Sequence, residues 1–294
     1  MTHWKTYYRA KNLTDALEAL TAGPGPTRVI AGGSDLLLDL QQGRHPPVHT
    51  LVDVTALPEL TCLEIRQGRL FVGAAIPLNR IVASPLAGEH AQALVEACEL
   101  IGGPQVRNTA TLGGNVAHAL PAADGTIALM ALEAQAEVAG PGGSRCLPLG
   151  DLFLGPGRSA LTPQEVLVGF YLPLKEPGQA SAFRRVMRPQ GVAIAILNMA
   201  AWVLRQGEML EDVRLAAGPT GPTPRRLIKA EAALRGRRLD KQGLERARQA
   251  FLEEAYFRTS PHRSTTEYRR HLSGALLEDT LWAAWERALM VWND

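Results

Sequence analysis

Val29-Ile30-Ala31-Gly32-Gly33-Ser34-Asp35-Leu36 and Gln105-Val106-Arg107-Asn108-Thr109-Ala110-Thr111-Leu112-Gly113-Gly114-Asn115 are the two stretches on which the reading of the fold turns. Each sets a glycine doublet at the end of an apolar, strand-like run and follows it with small polar residues. Glycine lacks a Cβ, so the backbone can turn sharply, reach positive φ and bring its N–H groups close to a ligand. Successive N–H groups facing one concavity hold an anion without any lysine. One doublet alone reads as a tight turn. Two of them, with Ser34, Thr111 and Asn115 as short donors for phosphate oxygens, predict a pair of loops holding the two phosphates of one dinucleotide. Asp124, beyond Asn115, reads as an acceptor for sugar or polyol hydroxyls, as the N-cap of a helix beginning near Thr126, or as both.

Composition narrows the field. A chain of 294 residues has room for two domains, and 46% hydrophobic with 20% charged residues is the balance of a globular protein. The net charge of +2 supplies no basic stripe for nucleic acid, and the arginine pairs at 184–185, 225–226, 237–238 and 269–270 are scattered. Cys62, Cys98 and Cys146 stand apart, so this chain alone builds neither a zinc site nor an iron–sulfur cluster. The N-terminus has no apolar signal region, and with isolated cysteines this suits the cytoplasm. The most apolar run, Val192 to Leu204, is too short to span a bilayer and reads as a buried strand.

The opening reads strand, helix, strand: a helix over Leu13–Leu20 with Thr14 as N-cap, a stop at Gly23-Pro24, a strand from Thr27 to Ala31, and another over Leu51–Val54. Leu63–Arg66 and Arg69–Gly73 flank Gln67-Gly68 as a hairpin. Helices are expected over Ala91–Ile101 and Thr126–Glu133, then strands over Ala136–Ala139 and Val166–Leu172, with Pro173–Gly178 as a linker. The last third predicts strands at Ala182–Met187, Val192–Leu204 and Val213–Ala217, then helices over Gly243–Glu254 and Thr265–Trp292.

One motif misleads. Gly155-Pro156-Gly157-Arg158-Ser159-Ala160 fits the dinucleotide pattern G-x-G-x-x-G/A, but Pro163 and the strand Val166–Leu172 leave no room for the helix that pattern requires. It reads as a loop over the edge of a cofactor. There is no P-loop, no G-x-S-x-G and no helix-spaced histidine pair; His118 near the second doublet reads as a ligand neighbour or as a packed or surface histidine. The residues therefore predict cofactor-binding loops without an evident acid, base or nucleophile, and a bound redox cofactor would carry the chemistry.

Ala31 to Leu36, Gln105 to Asn115 and Asp124 together resemble the FAD-binding medium subunit of molybdenum hydroxylases, the group that includes the flavin subunits of xanthine dehydrogenase and aerobic carbon monoxide dehydrogenase. Phe153–Arg158 resembles a loop after that family's flavin core, and Glu267-Tyr268-Arg269-Arg270-His271-Leu272 resembles a segment of its C-terminal domain. The resemblance covers nearly the whole chain. It implies an α/β (α+β) fold: a vanillyl-alcohol-oxidase-type FAD domain of two subdomains, 1–57 and 58–174, with a C-terminal α/β domain over 179–294. It implies that Val29, Ile30, Ala31, Gly32, Gly33, Ser34, Asp35, Leu36, Thr111, Gly113, Gly114 and Asn115 cradle the FAD diphosphate. Asp124 would bind the ribityl–diphosphate region, and Ile101, Leu167 and Arg184 would line the flavin or its surroundings. Ile76 stands where many relatives have threonine, Arg184 where lysine is common, Gly191-Val192 where an acid follows the arginine-rich strand, and Ser260–Arg263 where Asp-x-Arg is frequent.

The implied activity is electron transfer in a heteromeric complex. A molybdopterin-binding subunit oxidises the substrate, an iron–sulfur subunit with two-iron, two-sulfur clusters relays the electrons, and the flavin passes them to a soluble acceptor such as NAD or oxygen. No metal site is expected on this chain. The similarity of Phe153–Arg158 and of Tyr268–Leu272 to xanthine dehydrogenase subunits points to xanthine-like purines, with carbon monoxide, aldehydes and N-heterocycles left open. A stand-alone flavin oxidoreductase of the same fold and a flavin-free scaffold subunit are the alternatives.

Overall fold

Three units, each built on its own sheet, follow one another along the described residues. The structure is a computed structural model that describes residues 3–188, 194–261 and 263–289. β1 (Thr6–Arg9), α1 (Leu13–Ala22), β2 (Thr27–Ile30), α2 (Leu36–Gln41) and β3 (Thr50–Asp53) form a small parallel unit with β3 in the middle. Its helix α1 is capped by Asn12, whose Oδ1 accepts from Asp15 N at 2.9 Å, and not by Thr14, which lies inside the first turn. Gly23 ends it where expected.

The second unit begins with α3 (Pro58–Thr61) and the hairpin β4 (Leu63–Arg66) and β5 (Arg69–Gly73), which turns at Gln67-Gly68. The short helices α4 (Leu78–Val82) and α5 (Pro85–His90) lead to α6 (Gln92–Leu100), α7 (Pro104–Arg107), α8 (Leu112–Ala117) and α9 (Asp124–Ala131). β6 (Gln135–Gly140), β7 (Gly143–Pro148), the small hairpin β8 (Phe153–Gly155) and β9 (Arg158–Ser159), and β10 (Val166–Pro173) complete it. The sheet runs β4-β5-β10-β6-β7, antiparallel throughout. The run leading into the second doublet is not a strand. Pro104 is the first residue of α7, and Thr111 caps α8 by accepting from Gly114 N at 3.1 Å. The β-branched residues Val106, Thr109 and Thr111 thus serve turns and a cap.

The third unit is an antiparallel sheet of β11 (Gln179–Val186), β12 (Leu197–Gln206), β13 (Met209–Gly218) and β14 (Arg225–Arg226), with β15 (Arg237–Arg238) on the far end of β13. It is followed by α10 (Ile228–Leu234), α11 (Lys241–Glu254) and α12 (Thr266–Arg287). Val192 and Ala193, expected at the head of β12, and Trp292, expected at the end of α12, lie outside the described residues. β12 explains the long apolar run. Ala200 and Trp202 face the core of the second unit with α6 and α9, while Met199, Ala201 and Val203 face α10–α12. A strand covered on both faces reads as continuous apolar sequence, not as alternation.

The seam between the second and third units also has a polar anchor. Glu96 on α6 accepts from Phe183 N at 2.7 Å and from Arg184 Nη1 at 3.3 Å, and also from Arg287 Nη2 on α12. Burial alone would raise its pKa, but the Arg287 hydrogen bond, the Phe183 N–H and the charges of Arg287 and Arg184 outweigh that and hold it below the usual carboxylate range. A carboxylate with a depressed native pKa stabilises the fold fully above its unfolded pKa, about 4.3, and loses that contribution as pH falls through the native value. Glu96→Gln should therefore lower the thermal midpoint at pH 7, and the gap from wild type should close as pH is brought down towards 3. A gap that stays constant over that range would show that the ionised carboxylate is not its source.

Candidate functional site

The loop after β2 and the N-terminal end of α8 face each other across a cleft of about 630 Å³. Gly32 brings them together. A Cβ at this position would overlap the Thr109 carbonyl group and crowd Ala110 Cα, so only glycine lets the two backbones pass at this distance. Gly33 sits at φ +69°, the left-handed turn that leads into α2. The N–H groups of Gly32, Gly33 and Ser34 have no acceptor among the described residues. Arg28 and Arg44 also line the cleft, as do Asp35 and Asp39, so its fixed side-chain charges nearly cancel. The positive potential for an anion falls to backbone N–H groups.

Twelve of the residues expected at the site line this cleft: Val29 through Leu36, Ile101, Thr111, Gly114 and Asn115. Four lie elsewhere. Gly113 packs α8 against the segment after β5, its N–H donating to Ala74 O at 2.8 Å, and a Cβ there would strike Ala74. Leu167 is buried in β10, opposite Val138 of β6. Arg184 lies on β11 and pairs with Glu96. Asp124 is buried as the first residue of α9, which Ala123 caps. Its carboxylate accepts from Arg185 Nη1 on β11 and from Asn198 Nδ2 on β12, each at 2.5 Å. Burial raises the Asp124 pKa, and the Arg185 charge and these two hydrogen bonds oppose the shift.

Other cleft residues carried less signal. His118 stands between Asp35 Oδ1 at 3.6 Å and Asp39 Oδ2 at 3.7 Å, across the mouth of the cleft from the α8 side. Arg28, Arg44 and His45 come from strand and loop positions with no motif around them. Gly157, in the turn between β8 and β9, reaches the rim and donates its N–H to Ala119 O at 3.0 Å. The G-x-G-x-x-A stretch is thus a hairpin beside the cleft, with no helix after it. No group of three or more His, Cys, Asp or Glu side chains among the described residues is placed to hold a metal, and no described helix is long and apolar enough to cross a membrane.

Residues 2–175 match the family described as the FAD binding domain in molybdopterin dehydrogenase, and residues 181–284 match the CO dehydrogenase flavoprotein C-terminal domain. The chain belongs to the FAD-binding subunits of the molybdenum hydroxylases. It is 32% identical over 275 residues to the putative xanthine dehydrogenase FAD-binding subunit of Escherichia coli K12, spanning 92% of this chain and 93% of that one. It is 28% identical over 284 residues to the carbon monoxide dehydrogenase medium chain of Hydrogenophaga pseudoflava, 96% and 97% of the two chains. In structure it is similar to the carbon monoxide dehydrogenase of that organism, with a TM-score of 0.91 at 28% identity over 96% of this chain and 98% of the other. Quinoline 2-oxidoreductase from Pseudomonas putida 86 gives 0.89 at 27% identity, over 97% and 98%.

Membership makes the chain an oxidoreductase subunit with a flavin-binding domain of mixed α/β architecture. Within that domain the two glycines of the first doublet do different work: Gly33 supplies a turn, and Gly32 supplies the approach to Thr109. Gly32→Ala should cost about 2–4 kcal/mol in urea unfolding because backbone atoms, not a yielding side chain, meet the new methyl. Gly43→Ala is the control, since at φ +67° with open space around it the cost is only the left-handed strain, about 1 kcal/mol. A Gly32→Ala chain no less stable than Gly43→Ala would show that the two loops part freely.

Proposed function

We propose that this chain is the flavin subunit of a multi-subunit molybdenum hydroxylase of the xanthine dehydrogenase kind, and that FAD lies in the cleft between residues 29–36 and 111–115. The observation that carries the reading is the convergence of the glycine loop after β2 and the glycine-containing first turn of α8, from different units of the fold, on one cleft whose backbone N–H groups at 32–34 lack acceptors. The cleft volume of about 630 Å³ lies in the range of cofactor pockets. In this reading Gly32, Gly33, Ser34, Thr111, Gly114 and Asn115 hold the diphosphate, with Val29–Ala31, Asp35, Leu36 and Ile101 around it. Gly113 contributes by seating α8 on Ala74, and Asp124 by anchoring α9, with Leu167 and Arg184 supporting the walls from behind. The flavin domain comprises 1–57 and 58–174, and the C-terminal domain 179–294.

Each residue has a physical task. Backbone donors meet a diphosphate without side-chain entropy to lose. Arg28 and Arg44 add positive charge at the wall, balanced by Asp35 and Asp39, so the cleft admits an anion without being a general phosphate trap. Bound FAD would supply the conversion between single electrons, delivered by an iron–sulfur subunit from a molybdopterin-binding subunit, and the electron pair taken by an acceptor such as NAD or oxygen. The 32% identical relative named for xanthine dehydrogenase supports a purine-type substrate on the partner, and the three free cysteines suit a cytoplasmic setting.

Gly114 provides the test. A Cβ there would stand 3.1 Å from Thr111 Oγ1 and otherwise meet open space, and Gly114 lines the cleft. Gly114→Val should leave the far-ultraviolet circular dichroism of the full chain unchanged and abolish FAD uptake, read from the flavin absorption of the purified protein. Full FAD occupancy in a folded Gly114→Val chain would refute the site.

A further inference from the structure

Thr126 is fully buried in the first turn of α9 and does not line the cleft. Its backbone N–H and its hydroxyl both donate to Asn115 Oδ1, at 3.1 and 3.2 Å. A backbone N–H can only donate, so the oxygen end of the Asn115 amide must face Thr126. The Nδ2 group is thereby turned away from α9. It has no acceptor among the described residues and is not a buried orphan, and Asn115 lines the cleft.

The support behind this pair is tied to the third sheet. Two residues earlier, Asp124 is held by Arg185 and Asn198 of the third sheet, and Asn198 Nδ2 also donates to Ala122 O at 3.1 Å. Between them, a Cβ at Gly125 would stand 3.0 Å from both Asn115 Oδ1 and Leu112 Cδ1, so the glycine lets α9 press directly on α8. Three successive residues therefore do three things: Asp124 fixes the helix start, Gly125 permits the approach, and Thr126 sets the amide.

We propose that Thr126 is a positioning residue for the cofactor. It orients Asn115 so that the amide N–H group is offered to an acceptor oxygen of the bound dinucleotide, whether a phosphate, ribityl or ribose oxygen. The proposal rests on the flavin reading of the cleft. Without the threonine hydroxyl one of two restraints is lost, and an amide that turns over presents oxygen to oxygen.

The experiment is FAD titration of the apo form of the full chain, with the visible circular dichroism of the bound flavin as a second readout. Thr126→Val keeps the backbone bond, removes the hydroxyl, and should raise the FAD Kd about tenfold with an altered flavin dichroism. Thr126→Ser restores the hydroxyl and should restore both. A role confined to stability would lower the apo thermal midpoint without moving either flavin readout. Wild-type affinity and dichroism in Thr126→Val would overturn the proposal. Should that variant fail to fold, Asn115→Asp keeps both Thr126 bonds but places an acceptor where Nδ2 stood. Undiminished FAD affinity in it would equally overturn the proposal. Failure of the wild-type chain to bind FAD at all would overturn the flavin reading itself, and this proposal with it.

Discussion

A single buried carboxylate ties the cleft to the rest of the molecule. Asp124 opens the helix that backs the cleft wall, and its partners, Arg185 and Asn198, belong to a different sheet. A carboxylate and a guanidinium with side chains only 6% exposed are stable there only as a pair, since removal of one leaves an uncompensated charge, at a cost of about 3–5 kcal/mol. The third sheet therefore has one seat on α9. From that seat follow the stacking of Ala200 and Trp202 on the second unit's core and the fixed height of α9 behind Asn115.

The consequence for function is a division of labour. Backbone atoms of the first and second units face the cleft, while no described residue of the third unit lines it, and that unit acts by holding what does. Glu96, reached from β11 and α12 together, is the second point of the same seam. In the flavin reading, such a mounting lets secondary structure packed behind the cleft help set the cofactor's position, and hence the distance an electron crosses.

How much of this was legible in the sequence can be judged residue by residue. The doublets announced themselves because there were two of them, each followed by small polar residues, and the run at 197–203 announced a buried strand because both its faces are covered. Family resemblance then supplied the flavin domain and the C-terminal domain after it, which the matches to residues 2–175 and 181–284 respectively bear out. The strand expected before the second doublet was a misreading: β-branched residues at 106, 109 and 111 mimic a strand, yet Pro104 and the Thr111 cap make helices of the segment. Asn12 outcompeted Thr14 as a cap because its side chain reaches the N–H of Asp15. The partners of Asp124 lie 61 and 74 residues away, and no local pattern announces a contact of that range. The same holds for Arg28 and His45, whose place in the cleft is decided by tertiary packing.

The two doublets also differ in what they record about descent. Gly32 is held by a neighbouring main chain, and that neighbour stays in place whether or not a cofactor is present. A Cβ at Gly114 would meet the Thr111 hydroxyl at 3.1 Å and otherwise open space, so in the flavin reading it is chiefly the cofactor that bars a larger residue there. A lineage that gave up its flavin would therefore keep glycine at 32 and let 114 drift. In the flavin reading proposed above, 114 is thus the one of the four glycines whose identity would track cofactor occupancy from one relative to another.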